Sequence, residues 1–155
     1  MAWSLPPQLP SVSPVTISCV MDAAHSQGVP LAAVVAILAA EDGQVGRVVV
    51  NRNGTYDMGP GGVNTTWLRP LAQRRISELT VRNNGCVNVM ASAWIFRQAL
   101  VEMKGNVWAA IGRYHSRTGA LALNYQRRVY RLLSSRLNIK TIVARANRSL
   151  AVGPG

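Results

Sequence analysis

Few residues in this chain can do carboxylate chemistry, because only six side chains are acidic. They are Asp22, Glu41, Asp42, Asp57, Glu78 and Glu102. Glu41 stands apart, since it follows an almost wholly apolar run over 31–40. Burial disfavours the charged form of a carboxyl group and raises its pKa, which suits a general acid working near neutral pH. Two ordinary alternatives stay open: Glu41 marks the end of a buried helix, or it pairs with an arginine.

The neighbouring acid does not form a catalytic pair with Glu41. Adjacent positions on a helix point about 100° apart, so Glu41 and Asp42 cannot both face one cleft. Any acid–base chemistry at this point of the sequence therefore rests on Glu41 alone.

A glycine-rich stretch over 53–64 is the second candidate region. It lacks the Gly-Lys-Ser/Thr ending of a phosphate-binding loop. A plain hairpin loop remains, or a cleft wall in which glycines let backbone amides approach a polar ligand. A third candidate is Tyr114-His115-Ser116, after a short predicted helix, where an aromatic ring is usually part of the core.

The elements that must position these residues are mainly helical. The spacing of apolar residues predicts helices over 16–26, 31–40, 65–74, about 86–103, 107–113 and 118–137. The segment 43–64 predicts two short strands or an irregular loop with a hairpin, turning at Asn53-Gly54. We therefore expect a mainly α, α+β fold with a helical core and a small β-hairpin region after Glu41. The predicted organisation is a flexible leader (1–15), one domain (16–137) and a basic, then Gly/Pro-rich tail (138–155).

Two of these helices have faces that the sequence assigns to the core. The long helix is expected to bury Val89, Ala93, Phe96 and Leu100. The last helix is expected to turn Leu121, Tyr125, Val129 and Leu132 inward and its arginines outward.

Composition limits the classes of partner. The chain has 155 residues and 48% hydrophobic residues, which suits one domain with a core and excludes global disorder. Its net charge of +11 favours a polyanion: nucleic acid, an anionic membrane surface or an acidic polymer. The basic residues are spread along the chain without a nucleic-acid-binding motif, so no nucleic acid is expected. The longest apolar run, 29–40, is too short to span a bilayer.

Cys19 and Cys86 have no further Cys or His at metal-ligand spacing, so no metal site is expected. Two buried thiols and one disulfide both remain open from spacing alone. Residues 1–14 show no export signal. The chain is therefore either cytoplasmic or carries its export signal outside this sequence.

The motifs after Glu41 occur in a characteristic order. They are Gly54-Thr55-Tyr56-Asp57-Met58-Gly59-Pro60, Val63-Asn64-Thr65-Thr66-Trp67-Leu68, Tyr114-His115-Ser116 and Asn124-Tyr125. Over about 19–131, this order resembles lytic transglycosylases of the soluble-transglycosylase, lysozyme-like family. The similarity is greatest to small members that accompany type IV secretion, conjugation and pilus systems.

The resemblance implies an activity and a set of site residues. Glu41 is the single general acid, then base, that cleaves peptidoglycan between N-acetylmuramic acid and N-acetylglucosamine with formation of a 1,6-anhydro ring. The substrate-binding residues are Gly59, Gly62, Val63, Asn64, Tyr114, Ser116 and Tyr125. The family also implies a Cys19–Cys86 disulfide, no cofactor, a periplasmic location and partners in an envelope-spanning machine.

Three departures from the family pattern leave a degenerate, non-catalytic glycan-binding member as the alternative. Gly61-Gly62 replaces a Met-Gln pair whose Gln donates hydrogen bonds to substrate. If this replacement weakens binding, Gly62→Gln is expected to raise activity, and no gain would mean that the groove has compensated. Asp42 replaces a serine, and its charge is expected to raise the pKa of Glu41 or to help position it. The third motif ends in His115-Ser116 rather than Asn. A basic nucleic-acid-binding protein is the less favoured second alternative.

Overall fold

Helices dominate the computed structural model, which describes residues 11–150. The α-helices of this part are α1 (Ile17–Gln27), α2 (Leu31–Glu41), α3 (Leu68–Ala72), α4 (Glu78–Asn83), α5 (Gly85–Glu102), α6 (Val107–His115), α7 (Gly119–Ser134) and α8 (Ile139–Ala146). The strands are β1 (Val48–Val50), β2 (Tyr56–Met58) and β3 (Val63–Asn64), and 3-10 turns cover Thr65–Trp67 and Arg148–Leu150. The expected class, mainly α with a small β region, is confirmed.

Helix α2 lies at the centre of the fold. Every residue from 33 to 40 is buried, so no side of this stretch faces water, which explains its almost uninterrupted apolar sequence. Helices α1, α7 and α8 pack around it. The helix continues one residue beyond its predicted end, so Glu41 is its last residue. Asp42 then ends it in the left-handed conformation, with φ of 48°.

Helices α1 and α5 form the layer that carries the predicted core face. Thr16, expected as the first helical residue, is instead the N-cap of α1, and its Oγ1 accepts the Cys19 N–H at 3.1 Å. In α5, all four residues expected to face inward are buried. The packing of α5 against α1 therefore follows from the helical period in the sequence.

The β region is a three-stranded antiparallel sheet in the order β1-β2-β3. The turn at Asn53-Gly54 joins β1 to β2 as predicted, with Gly54 at φ of 84°. The third strand was not predicted, because two residues are too short to show an alternating pattern. Strand β3 places Asn64 directly opposite Asp57, so the predicted loop region is a small sheet with a polar face.

The segment between the sheet and α5 is divided into shorter helical elements than predicted. A 3-10 turn and the five-residue α3 replace the helix expected over 65–74. Helix α4 was not predicted; Ser77 caps it by accepting the Thr80 N–H at 3.2 Å. These short elements depend on tertiary contacts, because helices of this length are marginal on their own.

Parts of the predicted leader (1–15) and of the predicted tail (138–155) pack against the helical core. Val15 is buried and Ser13 pairs with Asn84, so the leader packs from residue 13 onward. After residue 137, α8 buries Ile142 and Ala146 beside α1 and α2. The helical core therefore extends beyond the predicted domain end. Leader residues 1–10 and tail residues 151–155 lie outside the described residues.

A disulfide joins α1 to α5. Cys19 and Cys86 are bonded, with their Cα atoms 5.6 Å apart, and the predicted pairing is confirmed. Among residues 11–150, no helix is both long and apolar enough to cross a membrane.

Candidate active site

A cleft of about 820 Å³ opens between the end of α2, the sheet, α5 and the segment after α6. Its sheet side carries Asn51, Asn53, Thr55, Asp57 and Asn64, and its helical side includes Trp67, Ile95, Gln98, Tyr114 and Ser116. Leu121, expected in the core, is 50% exposed and also lines the cleft. The first turn of α7 therefore borders the cleft, and only its later turns reach the core.

Glu41 enters this cleft from the carboxyl end of α2. The Tyr125 hydroxyl donates a hydrogen bond to Glu41 Oε1 at 3.0 Å. Burial raises the pKa of Glu41 to about 7, the bond from Tyr125 opposes this rise, and the nearby charge of Asp57 adds to it. The carboxyl end of a helix also disfavours negative charge, which acts in the same direction as burial.

A carboxyl group with a pKa near 7 can both give and take a proton at neutral pH, because both forms are populated. The Tyr125 bond fixes one of its oxygens and leaves the other directed towards Gly62. Glu41 therefore has the burial, orientation and proton affinity of a general acid and base.

Asp57 is a further carboxylate in the cleft, and its position in the sequence did not indicate a place near Glu41. Its two oxygens accept hydrogen bonds from Asn64 Nδ2 at 2.8 Å and from Asn51 Nδ2 at 3.2 Å. The charge that raises the pKa of Glu41 is that of Asp57 and not that of Asp42, which is exposed. The sequence held one signal: in a strand with Met58 buried, the adjacent Asp57 must point to the opposite face.

The turn between β2 and β3 faces Glu41 and is held by a fully buried asparagine. Asn88 Oδ1 accepts the Gly61 N–H at 2.8 Å, and its Nδ2 donates to the Met58 carbonyl at 2.9 Å. The Tyr114 hydroxyl donates to the Gly61 carbonyl at 2.7 Å. The Gly61 N–H is therefore bonded to α5 and the Gly61 carbonyl to α6, which gives the wall of the cleft a fixed backbone.

Gly62 lies against the carboxyl group of Glu41. Its φ is 58°, and a Cβ atom built on it would overlap Glu41 Oε2 and lie 2.9 Å from Cδ. The space that a side chain at this position needs is therefore occupied by the catalytic candidate. This geometry argues against the expectation that Gly62→Gln raises activity, because any residue with a Cβ displaces Glu41.

The segment at the end of α6 supports Glu41 from the other side. The His115 ring stacks on Tyr125, with centroids 4.5 Å apart and ring planes at 3°. Burial raises the pKa of Tyr125 and of Tyr114 and lowers that of His115, so all three favour their neutral forms. Tyr125 thus stays a hydrogen-bond donor to Glu41 across the neutral range.

The residues predicted for the site divide into two groups. Those that line the cleft are Glu41, Gly62, Val63, Asn64, Tyr114 and Ser116. Gly59 and Tyr125 do not line it: Gly59 is buried against Asn88, and Tyr125 lies buried beneath Glu41 and acts through it. Asn64 was predicted to touch substrate, but its Nδ2 group donates hydrogen bonds to Asp57 and Thr55.

The fold and cleft together define a mainly helical α+β protein in which Glu41, Asp57 and Glu102 line one cleft. Within residues 11–150, no three His, Cys, Asp or Glu side chains lie together as a metal site. Neither the protein-family models nor the curated proteins give a match to this chain.

Proposed function

We propose that this protein is a peptidoglycan lytic transglycosylase in which Glu41 acts first as general acid and then as general base. The observation that carries the proposal is the carboxyl group of Glu41, which ends a buried helix, faces a large cleft and has a pKa of about 7. The substrate, a strand of alternating N-acetylmuramic acid and N-acetylglucosamine, is inferred from the family resemblance that the order of motifs after Glu41 carries.

The proposed reaction needs one group that changes its protonation state. Protonated Glu41 gives its proton to the glycosidic oxygen as the bond from that oxygen to C1 of muramic acid breaks. The 6-hydroxyl of the same sugar then bonds to C1 and returns its proton to Glu41, so no water is consumed. The nucleophile belongs to the substrate, and its high effective concentration replaces a protein nucleophile.

Asp57 favours a second candidate function, hydrolysis of the same bond. Most glycosidases that use water employ a second carboxylate, as nucleophile or as base. Asp57 lies in the cleft with Glu41, and the amides of Asn51 and Asn64 hold it in place. In the lyase, the same negative charge stabilises positive charge at C1 in the transition state.

Digestion of purified peptidoglycan, with mass analysis of the products, tests the proposal. We expect anhydro-muropeptides from the wild type and none from Glu41→Gln, which keeps the size of the side chain and removes its acid. The matched control is Asp42→Asn, since Asp42 is the adjacent carboxylate, is exposed, and has a left-handed backbone that Asn also accepts. Circular dichroism checks that all three proteins are folded.

The products separate the alternatives. Reducing-end muropeptides that disappear in Asp57→Asn would make the protein a hydrolase. Strands that are bound but not cut would leave only the non-catalytic, glycan-binding alternative. Equal activity in Glu41→Gln and the wild type contradicts the role of Glu41 in either reaction.

The proposed location is the periplasm, where the enzyme opens the wall locally for a secretion, conjugation or pilus machine. The disulfide supports this, because such bonds persist in oxidising compartments. The net charge of +11 also suits the acidic peptide stems of the wall.

A further inference from the structure

A groove of about 340 Å³ lies between α6 and α7. Its lining residues belong to the first turn of α6 and to the outer surface of α7; they are Trp108, Leu123, Gln126, Arg127, Tyr130 and Arg131. Among residues 11–150, none lines both this groove and the cleft that holds Glu41. The proposed reaction therefore leaves the groove without a role.

The groove faces away from the cleft. Successive residues of a helix point about 100° apart, so Leu123 and Tyr130 lie on nearly the opposite side of α7 from Leu121, which lines the cleft. Tyr125 and Val129 lie on the side between them and are buried in the core. The groove and the cleft can therefore be occupied at the same time.

The floor of the groove is fixed by contacts between the two helices. Gln126 Nε2 donates a hydrogen bond to the Trp108 carbonyl at 2.8 Å. The same side chain covers Gly112, where an added Cβ would lie 3.1 Å from it. Asn106 caps α6 by accepting the Ala109 N–H at 2.9 Å, so the turn that carries Trp108 is held in place. The groove is therefore preformed.

The walls of the groove are apolar and aromatic. Trp108 is 41% exposed, Leu123 45% and Tyr130 65%. One exposed apolar side chain is common on a protein surface, whereas a contiguous group around a concavity marks a site of interaction. The indole N–H and the phenol O–H give two of the three a polar tip, which suits a position where apolar and aqueous phases meet.

Two arginines add positive charge to the same walls. Arg127 and Arg131 are exposed, and the described residues that line the groove include no acid. The single ion pair within residues 11–150 joins Arg113 to Glu102, so neither arginine of the groove is paired within that part of the chain. Both guanidinium groups are therefore left to bind a ligand that carries negative charge.

The arrangement of these groups favours a lipid surface over a protein. Protein interfaces have an apolar centre inside a polar rim. In the groove, Arg127 lies between Leu123 and Tyr130 along α7, so charged and apolar groups are mixed. The headgroup region of a bilayer has the same mixture, and tryptophan and tyrosine collect at that level. A second copy of the chain is disfavoured, because both copies would carry a charge of +11.

We propose that the groove between α6 and α7 binds an anionic phospholipid surface. Arg127 and Arg131 donate hydrogen bonds to lipid phosphates, and Trp108 and Tyr130 lie among the headgroups. The net charge of +11 draws the protein to such a surface from a distance. The contact is peripheral and reversible, and it leaves the cleft open. It does not depend on the proposed function, since it needs no cleavage.

Vesicle sedimentation tests the charged part of the groove. We expect the wild type to bind vesicles of phosphatidylglycerol mixed with phosphatidylcholine, and not vesicles of phosphatidylcholine alone. Arg127→Gln/Arg131→Gln should bind the mixed vesicles about thirtyfold more weakly, because each arginine near an anionic surface contributes about fivefold. The control Arg47→Gln/Arg52→Gln removes the same charge from exposed positions beside β1. An equal loss in this control would mean general charge attraction and would overturn the groove.

Fluorescence tests the aromatic part of the groove. Lipids brominated on their acyl chains should quench the tryptophan fluorescence of the wild type. The quenching should disappear in Trp108→Phe, which keeps an apolar ring and still binds; quenching that persists there places the contact at another tryptophan and contradicts the proposal. Trp108→Ala should lose about tenfold in affinity. Val50→Ala, at a 73% exposed position outside the groove, should lose none.

Two further measurements separate the alternatives, with circular dichroism to check that each variant is folded. A wild type that binds polyglutamate through Arg127 and Arg131 but ignores phosphatidylglycerol would assign the groove to an acidic protein segment and overturn the lipid proposal. Wall digestion by the groove variants should match the wild type, and a lower kcat would contradict the separation of groove and cleft. Vesicle binding without any wall digestion by the wild type would remove only the proposed function.

Discussion

At the scale of single residues, the acid–base behaviour of Glu41 results from opposing neighbours. Burial and the charge of Asp57 favour the neutral carboxyl group, whereas the hydrogen bond from Tyr125 and the charge of Arg128 favour the carboxylate. Burial is the largest of these effects, so the pKa rises. The folded protein therefore holds this proton more tightly than the unfolded chain, and that difference must appear in its stability.

We expect Glu41→Gln to be more stable than the wild type above about pH 7 and equally stable below about pH 4.5. A raised pKa contributes stability that is fully present below the unfolded pKa and is lost as the pH rises through the folded one. Glutamine does not titrate and escapes this loss, which is at most about 3 kcal/mol for the shift from 4.5 to about 7. Partial contact of the carboxyl group with water in the cleft reduces it to about 2 kcal/mol.

Urea unfolding at both ends of this pH range measures the difference. Glu102→Gln is the control, because it removes the same formal charge at a group whose pKa Arg113 lowers. The difference in free energy of unfolding between Glu102→Gln and the wild type must change with pH in the opposite direction, because the stability that Glu102 contributes is present at neutral pH and is lost as the pH falls. If this difference changed with pH in the same direction for Glu41→Gln as for Glu102→Gln, that would contradict a raised pKa at Glu41.

The apolar run before Glu41 made it a candidate, and the order of the motifs after it favoured a catalytic role over the ordinary alternatives. The sequence did not predict the contribution of Asp57, which depends on the sheet register that places Asn64 opposite it. Nor did it predict that Gly62 lies against Glu41, because two segments distant in sequence meet there. Contacts of this kind are set by tertiary structure and leave no local pattern.

At the scale of elements, the turn between β2 and β3 acts as a rigid wall of the cleft. The buried amide of Asn88 accepts a hydrogen bond from the Gly61 N–H, and the hydroxyl of Tyr114 donates one to the Gly61 carbonyl. Such a wall can approach Glu41 closely only where it has no side chain. Packing leaves no space for a side chain at Gly61, where a Cβ would overlap Ser92, or at Gly62, where it would overlap Glu41.

We expect Gly62→Ala to lower kcat by about a hundredfold, because the new Cβ moves the Glu41 carboxyl group away from its productive position. Gly54→Ala is a matched control: Gly54 also has a positive φ, at 84°, but nothing lies within 4 Å of the added atom. Both variants lose about 1 kcal/mol or more of stability from the left-handed backbone. Only Gly62→Ala should lose activity, and equal kcat values in the two variants would contradict a fixed wall.

Helix periodicity predicted α1, α2, α5 and α6 to within one or two residues, because their apolar residues repeat over several turns. It missed α8, although Ile142 and Ala146 are four residues apart on one face. The basic residues of that segment concealed the pattern, and only packing on α2 makes so short a helix stable.

At the scale of the whole molecule, the six acidic residues are unevenly distributed. Glu41, Asp57 and Glu102 all line the cleft, while the protein as a whole carries a net charge of +11. Arg113 and Arg117 also line the cleft, so it carries charges of both signs. To keep Glu41 beside Asp57, the fold must hold α2 and the sheet in fixed positions relative to each other.

The disulfide is the covalent link that maintains this arrangement. It closes a loop between residues 67 positions apart, and that loop contains α2, Glu41 and the whole sheet. Restriction of the unfolded chain by a loop of this length is worth about 4 kcal/mol. We expect the double variant Cys19→Ser/Cys86→Ser to lose about this much free energy of unfolding in urea titration, and reduction of the wild type to have the same effect.

The cleft gives this prediction a second, independent measurement. Neither cysteine lines the cleft, so the double variant should keep its kcat at temperatures where it is folded. Cys19→Ser alone should match the double variant in stability, since either change breaks the bond. A loss well under 1 kcal/mol would mean that the unfolded chain is already restricted, and a fall in kcat at full folding would mean that the bond positions Glu41 rather than merely stabilising the fold.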